Sequence, residues 1–178
     1  IRAAGGRVRV LNLFAYTGVA TIAAAAAGAT VTNVDDSKGL VTWAKENAVS
    51  SGLKDAPIRW LVDDCVKFVE REIRRGNTYD AIIMDPPSYG RGPKGEIWKI
   101  EDMIHPLIRL CAKILSEDAL FFLVNSYTTG LAPAVLTYMI STELKSWNGH
   151  VDSQEIGLPV TNSGLVLPCG ASGRWESR

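Results

Sequence analysis

Apolar and polar positions along the chain fall into two kinds of run that take turns. Short β-branched or apolar runs have the length and composition of strands: RVRVLNL at Arg7–Leu13, ATVTNV at Ala29–Val34, residues 58–62, YDAIIM at Tyr79–Met84 and ALFFLV at Ala119–Val124. Longer segments between them have helix character. These are the alanine-rich Gly18–Ala27, then Lys38–Val49 with Ser37 as cap and Gly52 as stop, then Asp64–Arg75 with acidic residues first and Arg74 and Arg75 last. Residues 97–115 read as one long helix with Pro106 placed to kink it, and Leu131–Leu144 as another. Two strand candidates close the pattern, His150–Ile156 and Gly164–Leu167, with no helix between them; Gly170–Arg178 is left as a docked tail or a frayed end.

Strand and helix in alternation predict an α/β fold, a doubly wound, mostly parallel sheet covered on both faces, because parallel strands need crossover helices. The crossovers are right-handed. The helix-free end predicts an antiparallel hairpin, with the last strand running against its neighbours.

Composition narrows the class. With 178 residues, 47% of them hydrophobic and 21% charged, the chain has the size and balance of one globular domain spanning residues 1–178 and not of a disordered segment. Nineteen basic residues against nineteen acidic ones remove the strongly basic signature of a stand-alone nucleic-acid binder, though not a local basic patch. Cys65, Cys111 and Cys169 are widely spaced without C-x-x-C, which argues against a disulfide scaffold and against a metal site. The apolar run near Val19–Ala29 is broken by Thr21 and Gly28 and is too short for a membrane span. The expectation is a cytoplasmic domain with no membrane role. Its opening at Ile1, close to the first strand, suggests a piece of a longer protein.

In a doubly wound sheet, ligands bind beyond the carboxyl ends of the strands, so the residues that follow each strand carry the chemistry. The first strand is followed by Asn12-Leu13-Phe14-Ala15-Tyr16-Thr17-Gly18, a turn with one glycine ahead of a helix N-terminus. A pyrophosphate cradle wants several glycines, so a dinucleotide fits poorly and a compact carboxylate fits better. The alternative for Gly18 is a turn glycine that packs a helix on a strand. After the second strand, Asp35 is placed to accept both hydroxyls of a ribose, with Asp36 helping Ser37 cap the next helix. After the third, Asp64 can accept from an adenine amine, with Asp63 the expected N-cap; a purely capping role is the other reading.

The fourth strand leads into Asp85-Pro86-Pro87-Ser88-Tyr89, the most specific string in the chain. Two prolines hold a stiff extended loop that can neither continue a ladder nor start a helix. A rigid carboxylate beside a proline carbonyl can grip the amine or amide edge of a planar base, and Tyr89 can stack on its face. The following loop, residues 88–99, carries Arg91, Lys94 and Lys99 against Glu96 and reads as a lid or a phosphate-contacting loop.

Together NLFAYTG, VDDS, the paired aspartates 63 and 64, and DPPSYGRGP resemble the class I S-adenosylmethionine-dependent methyltransferases. More narrowly they resemble the bacterial branch with a D-P-P motif that includes large-subunit ribosomal RNA methyltransferases. The resemblance runs from about Arg7 to Trp175. It implies a Rossmann-like seven-stranded sheet of order 3-2-1-4-5-7-6 with the last strand antiparallel, S-adenosylmethionine as cofactor, ribosomal RNA as substrate and an extra N-terminal RNA-binding region. By position, Phe14, Tyr16, Thr17 and Gly18 would face the methionine end of the cofactor, Asp35 the ribose and Asp64 the adenine amine, with Ser37 and Cys65 beside them. Asp85, Pro86 and Pro87 would lie where methyl donor and acceptor meet, and Ser88, Tyr89, Arg91, Lys94 and Asn125 would contact the substrate.

One departure has chemical weight. Methylation of cytosine carbon 5 calls for a nucleophilic cysteine just after the fifth strand, where this chain reads Val124-Asn125-Ser126-Tyr127. Cys111 is expected inside a helix, Cys65 to pack rather than attack, and Cys169 to emerge at the opposite edge of the sheet. Direct transfer to a base is therefore favoured, with Asp85 and the Pro86 carbonyl orienting the acceptor and positioning carrying most of the rate. Other readings stay open: a protein or small-molecule substrate, a domain that binds cofactor without turnover and, with least support, a nicotinamide-dependent oxidoreductase.

Overall fold

The computed structural model describes residues 1–92, 95–128 and 130–178. After a short 3-10 turn (Arg2–Ala4), the chain runs through β1 (Arg9–Leu13), α1 (Val19–Ala26), β2 (Thr30–Asp35), α2 (Lys38–Ser50), β3 (Ile58–Val62), α3 (Cys65–Arg75) and β4 (Ala81–Met84). It continues through β5 (Tyr89–Arg91), β6 (Ile97–Lys99), α4 (Ile100–Ala112), β7 (Phe121–Ser126), α5 (Pro133–Glu143), β8 (Gly149–Pro159) and β9 (Val166–Ser177). The main sheet has the order β3-β2-β1-β4-β7-β9-β8. Numbered without the small β5–β6 hairpin, this is 3-2-1-4-5-7-6, the order the resemblance implies. β1, β2, β3, β4 and β7 pair in parallel, and β9 runs antiparallel to both of its neighbours.

The strand residues alternate between two cores, as a sheet covered on both faces requires. Leu11, Leu13, Val34, Ile82, Met84 and Phe122 face α3, α4 and α5, where Phe68, Ile104, Ile108 and Ile140 meet them. Val8, Val10, Val31, Ala81 and Ile83 face the opposite way, against Ala24 and Ala25 of the alanine helix α1, whose small side chains let it lie close to the sheet. Helix ends follow local chemistry. Ser37 Oγ accepts from the Leu40 N–H at 3.3 Å, α3 ends at Gly76 with φ 67°, and α5 opens on Pro133.

Two expectations about elements need correction. The helix expected over residues 97–115 starts at Ile100, because Ile97–Lys99 pairs antiparallel with Tyr89–Arg91. The apolar residues at 100, 104, 107, 108 and 111 hold the helical phase alone. The last strand is not Gly164–Leu167 but Val166–Ser177, and Gly170–Arg178, rather than forming a tail, lies mostly within it, between β7 and β8. Gly170 and Gly173 look like breakers in the sequence, yet they serve close packing. A Cβ on Gly173 would lie 2.9 Å from Leu136 Cβ and Ile140 Cδ1, and one on Gly170 would overlap the Ser126 carbonyl.

Pairing of β9 with β7 stops at Ser126↔Ala171, whereas β8 and β9 stay paired out to Pro159↔Val166. The extra length is a two-stranded arm past the carboxyl end of β7. On it Leu158, Val160, Leu165, Val166 and Leu167 are exposed. No helix among the described residues is long and apolar enough to cross a membrane.

Candidate active site

The turn after β1 is held in an unusual backbone conformation. Phe14 (φ 54°) and Tyr16 (φ 50°) are left-handed although neither is glycine, and Gly18 (φ 81°) follows two residues on. Such residues are costly and persist where surrounding contacts enforce them. Here the Phe14 N–H donates to Cys65 Sγ at 3.3 Å and the Tyr16 N–H to Asp35 Oδ2 at 2.9 Å, while Asn47 Nδ2 donates to the Thr17 carbonyl at 3.0 Å. Gly18 also lets α1 pack on α2, since a Cβ there would lie 2.8 Å from Ala44 Cβ of α2.

Asp35 is buried, and its other oxygen, Oδ1, accepts from the Ser37 N–H at 3.0 Å. Burial pushes its pKa up, and the two backbone N–H groups pull only part of the way back. Asp36, expected to assist the cap of α2, is exposed and lines the cleft instead. The expected division between Asp63 and Asp64 is reversed. Asp64 is the N-cap of α3 and accepts from the Lys67 N–H at 2.8 Å, while Asp63 pairs with Arg71. Asp64 still borders the cleft beside Cys65, whose Sγ is buried and whose thiol pKa is pushed up by desolvation.

The cleft itself is a cavity of about 500 Å³ between the start of α3 and the β5–β6 hairpin, with Phe14, Asp36, Asp64, Val66, Pro87 and Trp98 among its walls. The hairpin closes one side of it. Trp98 Nε1 donates to the Pro87 carbonyl at 2.6 Å, its ring lies 5.1 Å from that of Phe14, and Lys67 Nζ on α3 contacts Glu96 Oε1 at 2.8 Å. Trp98 and Lys67 border the cleft and escape sequence reasoning, which names Glu96 only for the charge of its loop. The lone tryptophan in a glycine-rich loop was the available signal.

Next to this cleft, Asp85 follows β4 half-buried. Among the described residues none donates a hydrogen bond to its carboxylate or to the Pro86 carbonyl, whereas the Pro87 carbonyl is taken by Trp98. Desolvation alone pushes the Asp85 pKa up. A half-buried ionisable group with a raised pKa at a sheet's carboxyl edge is a candidate place for chemistry. Ser88 Oγ and Thr128 Oγ1 lie 2.7 Å apart, bridging the loops after β4 and β7, and Arg91 Nε donates to the exposed Tyr89 hydroxyl at 3.0 Å. Asn125 Oδ1 is engaged by Ser172 Oγ at 2.8 Å. Lys94 lies outside the described residues.

Cys169 stands at the same edge as Asp85 and not at the opposite one. β9 begins at Val166, so Cys169 comes early in an antiparallel strand, beyond the carboxyl end of β7. It lines a second cavity of about 370 Å³ with Thr128, Leu131 and Glu155.

Comparison with known proteins gives a consistent picture. The family model of S-adenosylmethionine-dependent methyltransferases matches residues 1–147. The chain is 40% identical over 108 residues to a ribosomal RNA large subunit methyltransferase K/L of Pseudoalteromonas atlantica, covering 60% of this chain and 15% of that protein. It is 32% identical over 120 residues to ribosomal RNA large subunit methyltransferase K of Neisseria meningitidis serogroup B, covering 66% of this chain and 34% of that one. The chain thus spans a minor part of the length of these relatives. A crystal structure of an S-adenosylmethionine-dependent methyltransferase from Agrobacterium tumefaciens is 41% identical with a TM-score of 0.94, over all of this chain and 58% of that one. A Streptococcus mutans structure, 23% identical with a TM-score of 0.79, shares the fold.

Proposed function

The chain belongs to the S-adenosylmethionine-dependent methyltransferase family, and from that premise we propose that it methylates a base of large-subunit ribosomal RNA by direct transfer. The observation that carries this reading is Asp85, a half-buried carboxylate that accepts no hydrogen bond among the described residues, beside the stiff Pro86-Pro87 loop. The relatives named for ribosomal RNA methylation supply the substrate class.

S-Adenosylmethionine supplies an electrophilic sulfonium methyl that any well-placed lone pair can attack. The residues present fit such a cofactor. The left-handed backbone at Phe14, Tyr16 and Gly18 opens the turn after β1 toward the carboxyl edge, where Phe14, Tyr16 and Thr17 would meet the methionine portion. Asp35 would hold the ribose through the lone pairs its two backbone donors leave free, with Ser37 beside it and Asp36 on the cleft wall. Asp64 and Cys65 border the space for the adenine, and Trp98 and Phe14 offer it aromatic surface.

On the acceptor side, Asp85 and the Pro86 carbonyl orient the base edge, Tyr89 stacks on its face, and Ser88, Arg91, Lys94 and Asn125 contact the RNA. Direct transfer needs little acid–base chemistry, and positioning supplies most of the rate. Titration calorimetry with S-adenosylmethionine tests the cofactor part: binding weakens at least tenfold in Asp35→Ala. Labelled methyl transfer to an unmodified large-subunit ribosomal RNA transcript tests the substrate, and its absence in the wild type overturns that part.

A further inference from the structure

We propose that Tyr127 is a second aromatic contact for the acceptor base, fixed by the end of β7 next to Asp85. The inference rests on the reading of RNA as acceptor and adds a residue to that same site.

The placement follows from strand register. β4 and β7 pair in parallel up to Met84 level with Val124, so the chain leaves both strands at one edge, with Asp85 one residue and Tyr127 three residues past that last pair. The Ser88–Thr128 hydroxyl contact at 2.7 Å then ties the two loops together on either side of Tyr127 and Asp85. The backbone of Tyr127 is clamped from the other direction as well. β9 approaches so closely that a Cβ on Gly170 would come within 2.9 Å of Tyr127 Cα. The Thr128 N–H donates to Ser126 Oγ at 3.2 Å, which fixes the turn just past it.

Against this rigid backbone the Tyr127 ring itself is 55% exposed. It contributes little to the core. With its backbone held, it offers an aromatic face at the rim of the carboxyl edge to a planar ligand. Desolvation and the charge of Asp85 both push the Tyr127 phenol pKa upward, in keeping with their proximity. The chemistry such a face recognises is the π-surface of an unstacked nucleobase whose edge is held by Asp85.

The test uses the 178-residue chain and an unmodified large-subunit ribosomal RNA transcript. Affinity is read by fluorescence anisotropy with S-adenosylhomocysteine present, and turnover by labelled methyl transfer. Base stacking on one aromatic is worth roughly 1–3 kcal/mol, about five- to 150-fold. Tyr127→Ala is expected to weaken RNA binding and raise the RNA KM at least fivefold, with S-adenosylmethionine affinity within twofold of wild type. Tyr127→Phe should restore most of that loss. A wild type that binds and methylates the transcript while Tyr127→Ala matches it overturns the role of Tyr127 alone. An equal loss of cofactor and RNA affinity in Tyr127→Ala also overturns it, as a folding effect. A wild type that neither binds nor methylates the transcript overturns the RNA reading and this inference with it.

Discussion

Tyr16 and Asp35 join the first two strands' ends: the N–H of the left-handed Tyr16 donates to Oδ2 of the buried Asp35 at 2.9 Å. The bond holds a strained turn in place. Asp35→Ala strips two backbone donors of their acceptor, at a cost of about 1–3 kcal/mol. In a domain of this size, a thermal melt should fall by a few degrees for each kcal/mol lost, alongside the weaker cofactor binding.

On the proposed reading, Asp85 links activity and stability in opposite senses. Its folded pKa is raised, so the ionised form is the one folding disfavours. This penalty is fully present above the raised folded pKa, and it fades as pH falls toward the ordinary aspartate value. Asp85→Asn should therefore melt higher than wild type at neutral pH, with the gain vanishing in acid, while methyl transfer drops about a hundredfold or more. A matched set of melts from pH 4 to 8 checks the sign.

Glu72 shows the reverse dependence. Fully buried, it accepts from the Tyr79 hydroxyl at 2.8 Å, Asn77 Nδ2 at 2.9 Å and Arg75 at 3.1 Å. Burial opposes its ionisation, but these donors prevail and hold the pKa below the ordinary glutamate range. Its contribution is present above that range and is lost as pH falls through the lowered folded value. Glu72→Ala leaves Tyr79 without its acceptor and should cost about 1–3 kcal/mol by urea unfolding at pH 7.

The β5–β6 hairpin depends on Trp98 more than on its ion pair. Trp98→Phe removes the donor to Pro87, a loss of about 1 kcal/mol, and should speed amide exchange over the described part of residues 88–99. Lys67→Ala, at an exposed pair, should leave that exchange unchanged.

Of the three cysteines, only Cys169 should react with iodoacetamide in the native protein, because Cys65 and Cys111 are buried and their thiol pKa values are pushed up. Direct transfer further requires Cys169→Ser to keep methyl-transfer activity despite standing at the site's edge. Its loss would indicate covalent catalysis.

Much of this was legible in the residues because period and punctuation agreed. The apolar runs ending in Asp35 and Asp85 gave the parallel strands and the edge that bears the site. Three features resisted for physical reasons. Ile97 extends the apolar spacing of α4 by one turn, so a short hairpin strand is hidden in a helical pattern. Gly170 and Gly173 read as breakers because the strands and helix that crowd them are distant in sequence. Asp63 and Asp64 are chemically identical, and only the backbone turn at the start of α3 decides which of them caps it.

The insertion of β9 between β7 and β8 constrains the order in which the molecule assembles. β8 precedes β9 in the chain but touches the rest of the sheet only through it. The parallel half can form from βα units in sequence, whereas β8 can join the sheet only together with β9 or after it has paired with β7. Until then β7 offers an open edge of unpaired backbone groups, the state from which misassembly starts. Pulse-labelled hydrogen exchange during refolding should therefore protect β1, β2 and β4 before β7 gains its second partner.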